Sequence, residues 1–432
     1  MEAGLSIPIL LQGGRVIDPA SGRDEMGDVL ILDGAIADVG RGLRAPDGSE
    51  IVPARGKVIA PGLIDVHVHF REPGGEESET IGTGAMAAAA GGFTSVCAMP
   101  NTNPVTDNPA AVGFVVKQAS AAGATRVFPI AALSIGQQGK QLSNFGALIG
   151  AGAVAVSDDG YLVVSSHFMR IVLEYAQTFG IPVADHCEEP TLASGGAMNE
   201  GLMSTRLGLK GIPSASEQIM VARDIILSEL TGGHVHLCHM SCRGSVDLIR
   251  RAKDQGVSVT AEVTPHHLAL TDAECNGYNT NAKMNPPLQT EADIVALREG
   301  LADGTIDMIA SDHAPHHDES KERDFDDAPF GVVGLETALA VGITELVERG
   351  VLTLPDLIDR MSSQPARVFH LDGGTLARGA PADVVIFDPD AVMKVNPMEF
   401  RSKSRNTPFG GRELRGVVER TIVGGRTVFQ RP

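Results

Sequence analysis

PGLIDVHVHFREPGG, residues 61–75, is where the texture of the chain changes. It reads as a short β-rich apolar run that ends in His67 and His69 and passes at once into Arg71 and a Pro/Gly turn. Side chains alternate along a strand, so His67 and His69 fall on one face and Val66, Val68 and Phe70 on the other. Two imidazoles side by side at a strand end are spaced to share a metal ion. An isolated HxH pair also arises by accident, so the remaining strand ends must decide.

Upstream, residues 7–57 carry short alternating runs, LLQGGRVIDP, GDVLILDGAIADVG and EIVPARGKVIA, punctuated by Gly, Asp and Pro, as in a small antiparallel β unit. From Val58 onward apolar runs alternate with Ala-rich helical stretches, the pattern of parallel strands with crossover helices. The strand candidates span residues 58–69, 93–100, 126–134, 153–160, 181–189, 234–242, 257–267 and 306–317. Helices are expected between them at 78–90, 167–178, 215–230, 243–255 and 291–301, and after them at 337–349 and 355–364, with Pro355 at the first helical position. Eight βα units predict a (β/α)8 barrel. A doubly wound open sheet would usually have fewer strands, and no GxGxxG turn follows any of them. The tail, APADVVIFDP through NTPFGGRELRGVVERTIVGGRTVFQ, returns to alternating β texture. The expected organisation is a small β-sandwich domain built from both termini, residues 1–57 and 370–432, around a barrel of residues 58–369.

At 432 residues the chain suits one large domain with a smaller companion. Thirty-five Lys and Arg against 54 Asp and Glu give a net charge of -19, which argues against a nucleic-acid or anionic-membrane surface. An anionic substrate would need local arginines. The opening MEAGLSIPILLQGG lacks a basic segment followed by a signal-length apolar core, and no run is long enough to span a membrane, so a cytoplasmic protein is expected. Five cysteines do not read as a disulfide framework, and Cys238 and Cys242 have no second pair to complete a Cys-type metal site.

In a barrel of this type the site lies at the C-terminal ends of the strands. Those ends carry His67 and His69, Asn101, Asp158 and Asp159, His186, His239, His266 and His267, then Asp312, His313, His316 and His317. Any one of these could be a hydrogen-bonded histidine or a capping aspartate; their convergence on one rim is the signal. Imidazole and carboxylate without thiolate suit Zn2+ and, behind it, Mn2+, Fe2+ or Co2+. Five or six such groups suggest two ions bridged by a shared carboxylate and a hydroxide. Asp312, beside such a centre, is the natural general base or acid.

The segments HFREPGGEESETIGTGAMAAAAGGFTSVCAMPNTNPVTDN, SDDG, ADHCEE, HLCHMS, EVTPHHL, NPPL, SDHAPHHDESK and APFGVVGLETA, with NTPFGG and TIVGGR in the tail, resemble the dihydroorotases of the amidohydrolase superfamily, of the longer bacterial type. The resemblance implies that His67, His69 and Asp312 hold one Zn2+, His186 and His239 a second, and Asp159 rather than Asp158 bridges them together with a hydroxide. No Lys ends the fourth strand, so no carbamylated lysine is expected. The resemblance further implies His69, Arg71, Asn101, Asn285, His316, Phe330 and Gly331 as substrate contacts, with Arg71 on a carboxylate. The implied reaction is the reversible cyclisation of N-carbamoyl-L-aspartate to L-dihydroorotate in pyrimidine synthesis. In it the hydroxide attacks the ring carbonyl and Asp312 carries the proton to the departing nitrogen.

The resemblance also implies a homodimer and raises association with aspartate transcarbamoylase. The rival readings are an allantoinase or hydantoinase, and a non-catalytic scaffold for aspartate transcarbamoylase. Arg71 and the MPNT and SDHAPH runs argue against the first, the full ligand set against the second. One departure is Gln289, where the family's NPPLR element has Arg; it puts in doubt a charge contact of a loop or subunit interface.

Overall fold

The computed structural model describes residues 7–432; residues 1–6 of the expected N-terminal β unit lie outside the described residues. Eight parallel strands follow in chain order around a barrel: Leu63–Val68, Phe93–Ala98, Arg126–Ala132, Ala155–Ser157, Val183–Asp185, Val235–Leu237, Val259–Val263 and Met308–Ile309. A parallel bridge between Val68 and His313 and a 2.8 Å bond from His69 N to His313 O bring the last strand back to the first. Every strand is shorter than its sequence reading. The residues expected as strand termini have left the ladder to become the polar rim.

The expected strand 58–69 is two strands. Val58–Pro61 pairs antiparallel with Val384–Lys394 and parallel with Ile9–Asp18, in a sheet made from both ends of the chain, and Leu63–Val68 begins the barrel. Gly62 is the joint. A Cβ there would lie 2.1 Å from Thr94 Oγ1 and 2.2 Å from Thr94 Cγ2, so only glycine lets the chain pass from one sheet to the other against the second barrel strand. The terminal sheet runs on through Glu413–Val423 and Arg426–Gln430 on one side and Arg23–Leu32 and Ala35–Gly40 on the other. Arg126 ties it to the barrel, with Nε 3.0 Å from Asp383 Oδ2 and a terminal nitrogen 3.2 Å from Oδ1.

Strict alternation fails inside the first barrel strand, where the register slips between Asp65 and Val68. Val66 therefore packs with Ile64, Cys97, Ile130, Cys238 and Met308 in one core cluster, whereas Val68 and Phe70 join a second one with helix residues such as Ile81, Ala85 and Ala88. The expectation that Val66, Val68 and Phe70 share a face is corrected by this bulge. It re-aims the strand just before His67.

Helices run at Ile81–Ala90, Ser166–Gln177, Ala215–Thr231, Arg243–Asp254 and Glu291–Asp303, close to their expected spans, with a further one at Pro109–Ala122 whose Asn108 side chain caps two backbone N–H groups. The helical stretches after the barrel are interrupted by wider turns at Ile343–Val347 and Asp359–Ser363, and Pro355 sits one place later than expected because Leu354 opens the helix. All five cysteines are buried and unpaired with one another. Among the described residues no helix is long and apolar enough to cross a membrane.

The joint makes a test of the fold. Gly62→Ala should destabilise the protein by about 1–3 kcal/mol through overpacking against Thr94, read as a lowered midpoint in denaturant unfolding; an unchanged midpoint would show that the strand crossover has room to spare.

Candidate metal centre

The rim residues meet because their strands end at one level, and the carboxylate of Asp159 lies at their centre. Asp159 Oδ2 is 3.4 Å from His67 Nε2 and 3.3 Å from His69 Nε2; Oδ1 is 3.5 Å from His186 Nδ1 and 3.4 Å from His239 Nε2. Asp312 Oδ1 closes the first side, 3.5 Å from His67 Nε2 and 3.2 Å from His69 Nε2. Across the second side His186 Nδ1 and His239 Nε2 stand 2.9 Å apart. One carboxylate thus turns one oxygen to each of two imidazole pairs.

This donor set fits a pair of cations. His67 Nε2 and Asp159 Oδ1 are buried without a hydrogen-bond partner, which is costly unless something electropositive lies between them. His67, His69 and Asp312 form one group of ligand atoms within a single ion's reach, and His67, Asp159 and His239 another. Burial raises the Asp159 carboxyl, yet the facing His67, His186 and His239 outweigh it and hold it well below the usual carboxylate range. Asp312 is lowered in the same way, burial being overcome by His67 and His69. Both carboxylates stay ionised although buried, which is the charge arrangement a divalent metal requires.

Asp158, adjacent in sequence, points elsewhere. Its Oδ1 accepts from Ser134 N at 3.1 Å, its Oδ2 meets Ser134 Oγ, and burial pushes its carboxyl up to about 7. His267 is likewise taken up by Thr264 Oγ1 and the Pro286 carbonyl, at 2.8 and 3.0 Å, and His313 by Glu79 and Gly334.

Above the ligands opens a cavity of about 520 Å3, lined by His69, Arg71, Asn101, Asp159, His186, His239, Asn285, Asp312, His316, Phe330 and Gly331. Of the residues to which the resemblance gives a ligand or substrate role, only His67 is absent from this lining. Asn101 Oδ1 is 2.8 Å from His69 Nδ1, and Asn285 Nδ2 donates to Glu188 Oε2 at 2.9 Å. Arg71 Nε donates to the Pro315 carbonyl at 3.1 Å, with a terminal nitrogen 3.5 Å from His316 Nε2. Burial lowers Arg71 only to about 10, so it remains a cation. Burial, then the charge of Arg71, holds His316 down at about 3, leaving it a neutral hydrogen-bonding group 2.7 Å from the Phe330 carbonyl. Arg71, His239 and Asp312 all have positive φ, at 59°, 41° and 46°, a backbone region that side chains other than glycine rarely occupy.

Two buried carboxylates escaped the sequence reading. Glu262 Oε1 lies 2.6 Å from His67 Nδ1 and Oε2 3.0 Å from His236 Nε2; burial raises it, but His67 and His236 draw it down to about 2. It fixes His67 with Nε2 turned to Asp159, the carboxylate-to-imidazole support that orients a ligand. Asp65 accepts from His67 N at 3.0 Å and Ser311 N at 3.1 Å, joining the first strand to the eighth. The available signal was a lone carboxylate inside each apolar run, LIDVHV and VTAEV. Gln289 lies in a loop and is buried, 3.3 Å from Ser241 Oγ, whose own partner is Glu217 at 2.5 Å.

A dihydro-orotase-like family profile matches residues 56–245 and an amidohydrolase family profile residues 331–429. A dihydroorotase of Pelotomaculum thermopropionicum is 54% identical over 98% of each chain, and one of Geobacter metallireducens 50% identical over 98% of this chain and all of its own. Among solved structures, the L-hydantoinase of Arthrobacter aurescens superposes with a TM-score of 0.87 at 26% identity, covering 98% of this chain and 96% of its own. Barrel, terminal sheet and rim thus agree with full-length likeness at half identity: the chain belongs to the dihydroorotase family.

Proposed function

We propose that the chain interconverts N-carbamoyl-L-aspartate and L-dihydroorotate at this cavity, for pyrimidine synthesis in the cytoplasm, as a homodimer binding two Zn2+ per subunit. The observation that carries the reading is the placement of one half-buried cation, Arg71, in the lining of the same cavity as an imidazole cluster gathered on one carboxylate. A small cyclic amide with a carboxylate needs both. The dihydroorotase relatives at half identity support this substrate over hydantoin or allantoin. For association with aspartate transcarbamoylase the surface offers no particular argument.

His67, His69 and Asp312 would hold one ion, His186 and His239 the other, and Asp159 would bridge, with Glu262 fixing the imidazole of His67. When bound, the ions supply Lewis acidity at the ring carbonyl and a nucleophile at neutral pH. Arg71 takes the substrate carboxylate bidentately, a role its planar fork suits. Neutral His316 and the Asn285 amide add hydrogen bonds, and the Phe330–Gly331 backbone closes the pocket. Asp312, ionised beside His67 and His69, accepts the proton released in the addition and returns it to the ring nitrogen as the amide bond breaks. In the cyclising direction the same carboxylate takes the proton from the attacking carbamoyl nitrogen.

Three measurements test these assignments. Purified protein assayed on dihydroorotate, hydantoin and allantoin should turn over dihydroorotate, and Arg71→Met should raise its KM by about 10–100-fold, the scale of a lost charged hydrogen-bond pair, with bound metal unchanged. Turnover of hydantoin or allantoin alone would reassign the substrate. Asp312→Asn should keep most of its metal and lose about 10²–10⁴ in kcat, the range of general acid-base catalysis; near-normal kcat would remove it as proton carrier. Metal analysis of Asp159→Ala against Asp158→Ala should find the greater loss in the former, and the reverse order would move the bridge to Asp158.

A further inference from the structure

The long connection between terminal-sheet strands Val384–Lys394 and Glu413–Val423 does not stay with its sheet. It crosses to the barrel mouth and buries Asn406 there, about 2% exposed. Asn406 Oδ1 accepts from His316 N at 3.2 Å, and Nδ2 donates to the carbonyls of Ala314 at 3.2 Å and Gly331 at 3.1 Å. Its own carbonyl accepts from Val333 N at 2.9 Å. Both side-chain hydrogens and both oxygens of this residue are engaged, on two segments that sequence places 15 or more residues apart.

The atoms it grips flank Pro315 on either side. The Pro315 carbonyl is in turn the acceptor for Arg71 Nε, at 3.1 Å. The other gripped segment carries Phe330 and Gly331, and Gly331 admits no side chain because a Cβ would lie 2.7 Å from that of Ala314. A displacement of either segment would turn the Arg71 fork and open the pocket wall together.

We infer that Asn406 is a positioning residue for the anion pocket: it fixes the Pro315 carbonyl that aims Arg71, and through it sets the affinity for the substrate carboxylate. This rests on the reading of Arg71 as the carboxylate anchor. Asn406 touches neither the metal ligands nor the bonds that change, so its removal should appear in KM and not in kcat.

A double-mutant cycle on the full-length, metal-loaded protein tests it, with dihydroorotate as substrate. Asn406→Ala should raise KM by about tenfold, leave kcat within about threefold and leave bound metal unchanged, and the rise should shrink to nothing in an Arg71→Met background, as expected for residues acting through one contact. An equal rise in both backgrounds, a fall in kcat with KM unmoved, or no change would overturn the inference while leaving the role of Arg71 intact. If Arg71→Met itself leaves KM unchanged, the anchor reading fails and this inference with it. Asn406→Ser, smaller than Asn, uncharged and left with a single hydroxyl, serves the same cycle if the alanine variant does not fold. Failure of both to fold would overturn the inference in favour of a purely structural role.

Discussion

Asp159 is a buried carboxylate at the centre of four imidazoles, at the floor of the cavity. In such a place an ionised group survives only if positive charge is held against it. Much of the barrel mouth serves that condition. Glu262 locks the ring of His67, Asn101 meets that of His69, and Asp65 ties the backbone of His67 to the eighth strand, where Asp312 completes the set. A barrel suits the task because neighbouring strands deliver side chains to one level from all directions. The candidate metal centre is thus a property of the closure of the sheet as much as of any one side chain.

What could be read from the sequence follows from how local each signal is. The eight strands were visible because each is an apolar run bounded by Gly, Pro or Asp, and the rim histidines because histidine is conspicuous at a run's end. Strand lengths were overread, since the rim residues resemble strand residues in composition but have left the ladder to face the cavity. The bulge before His67 depends on pairing between strands and leaves no local mark. Glu262 looked like an ordinary strand carboxylate; its role requires His67, 195 residues away. Asn406 was hidden for the same reason, because the connection carrying it belongs by composition to the terminal sheet and by contact to the barrel. Asp158 and Asp159, which the resemblance separates by spacing, differ in where each points. Ser134 claims the first and the imidazoles the second.

The two parts of the molecule are coupled at several independent points. Gly62 passes the chain between sheets, Arg126 grips Asp383 from the third barrel strand, and residues 401–406 return to the mouth, where Glu79 receives Ser402 Oγ at 2.5 Å and Lys403 N at 3.1 Å. Glu79 also reaches His313, the residue just before the Ala314–His316 turn that Asn406 holds. The terminal sheet therefore acts on the mouth as a brace.

Arg71, His239 and Asp312 each occupy backbone angles that cost energy for a residue with a side chain. Glycine or asparagine would sit there more comfortably, and neither could replace all that those side chains do. The cavity is therefore a region where selection for robustness and selection for chemistry pull in opposite directions. A search that rewards heat resistance alone would be drawn to such positions and would trade the cavity's side chains for a sturdier barrel. The strained angles mark, in the backbone itself, what the chain gives up in stability to keep its site.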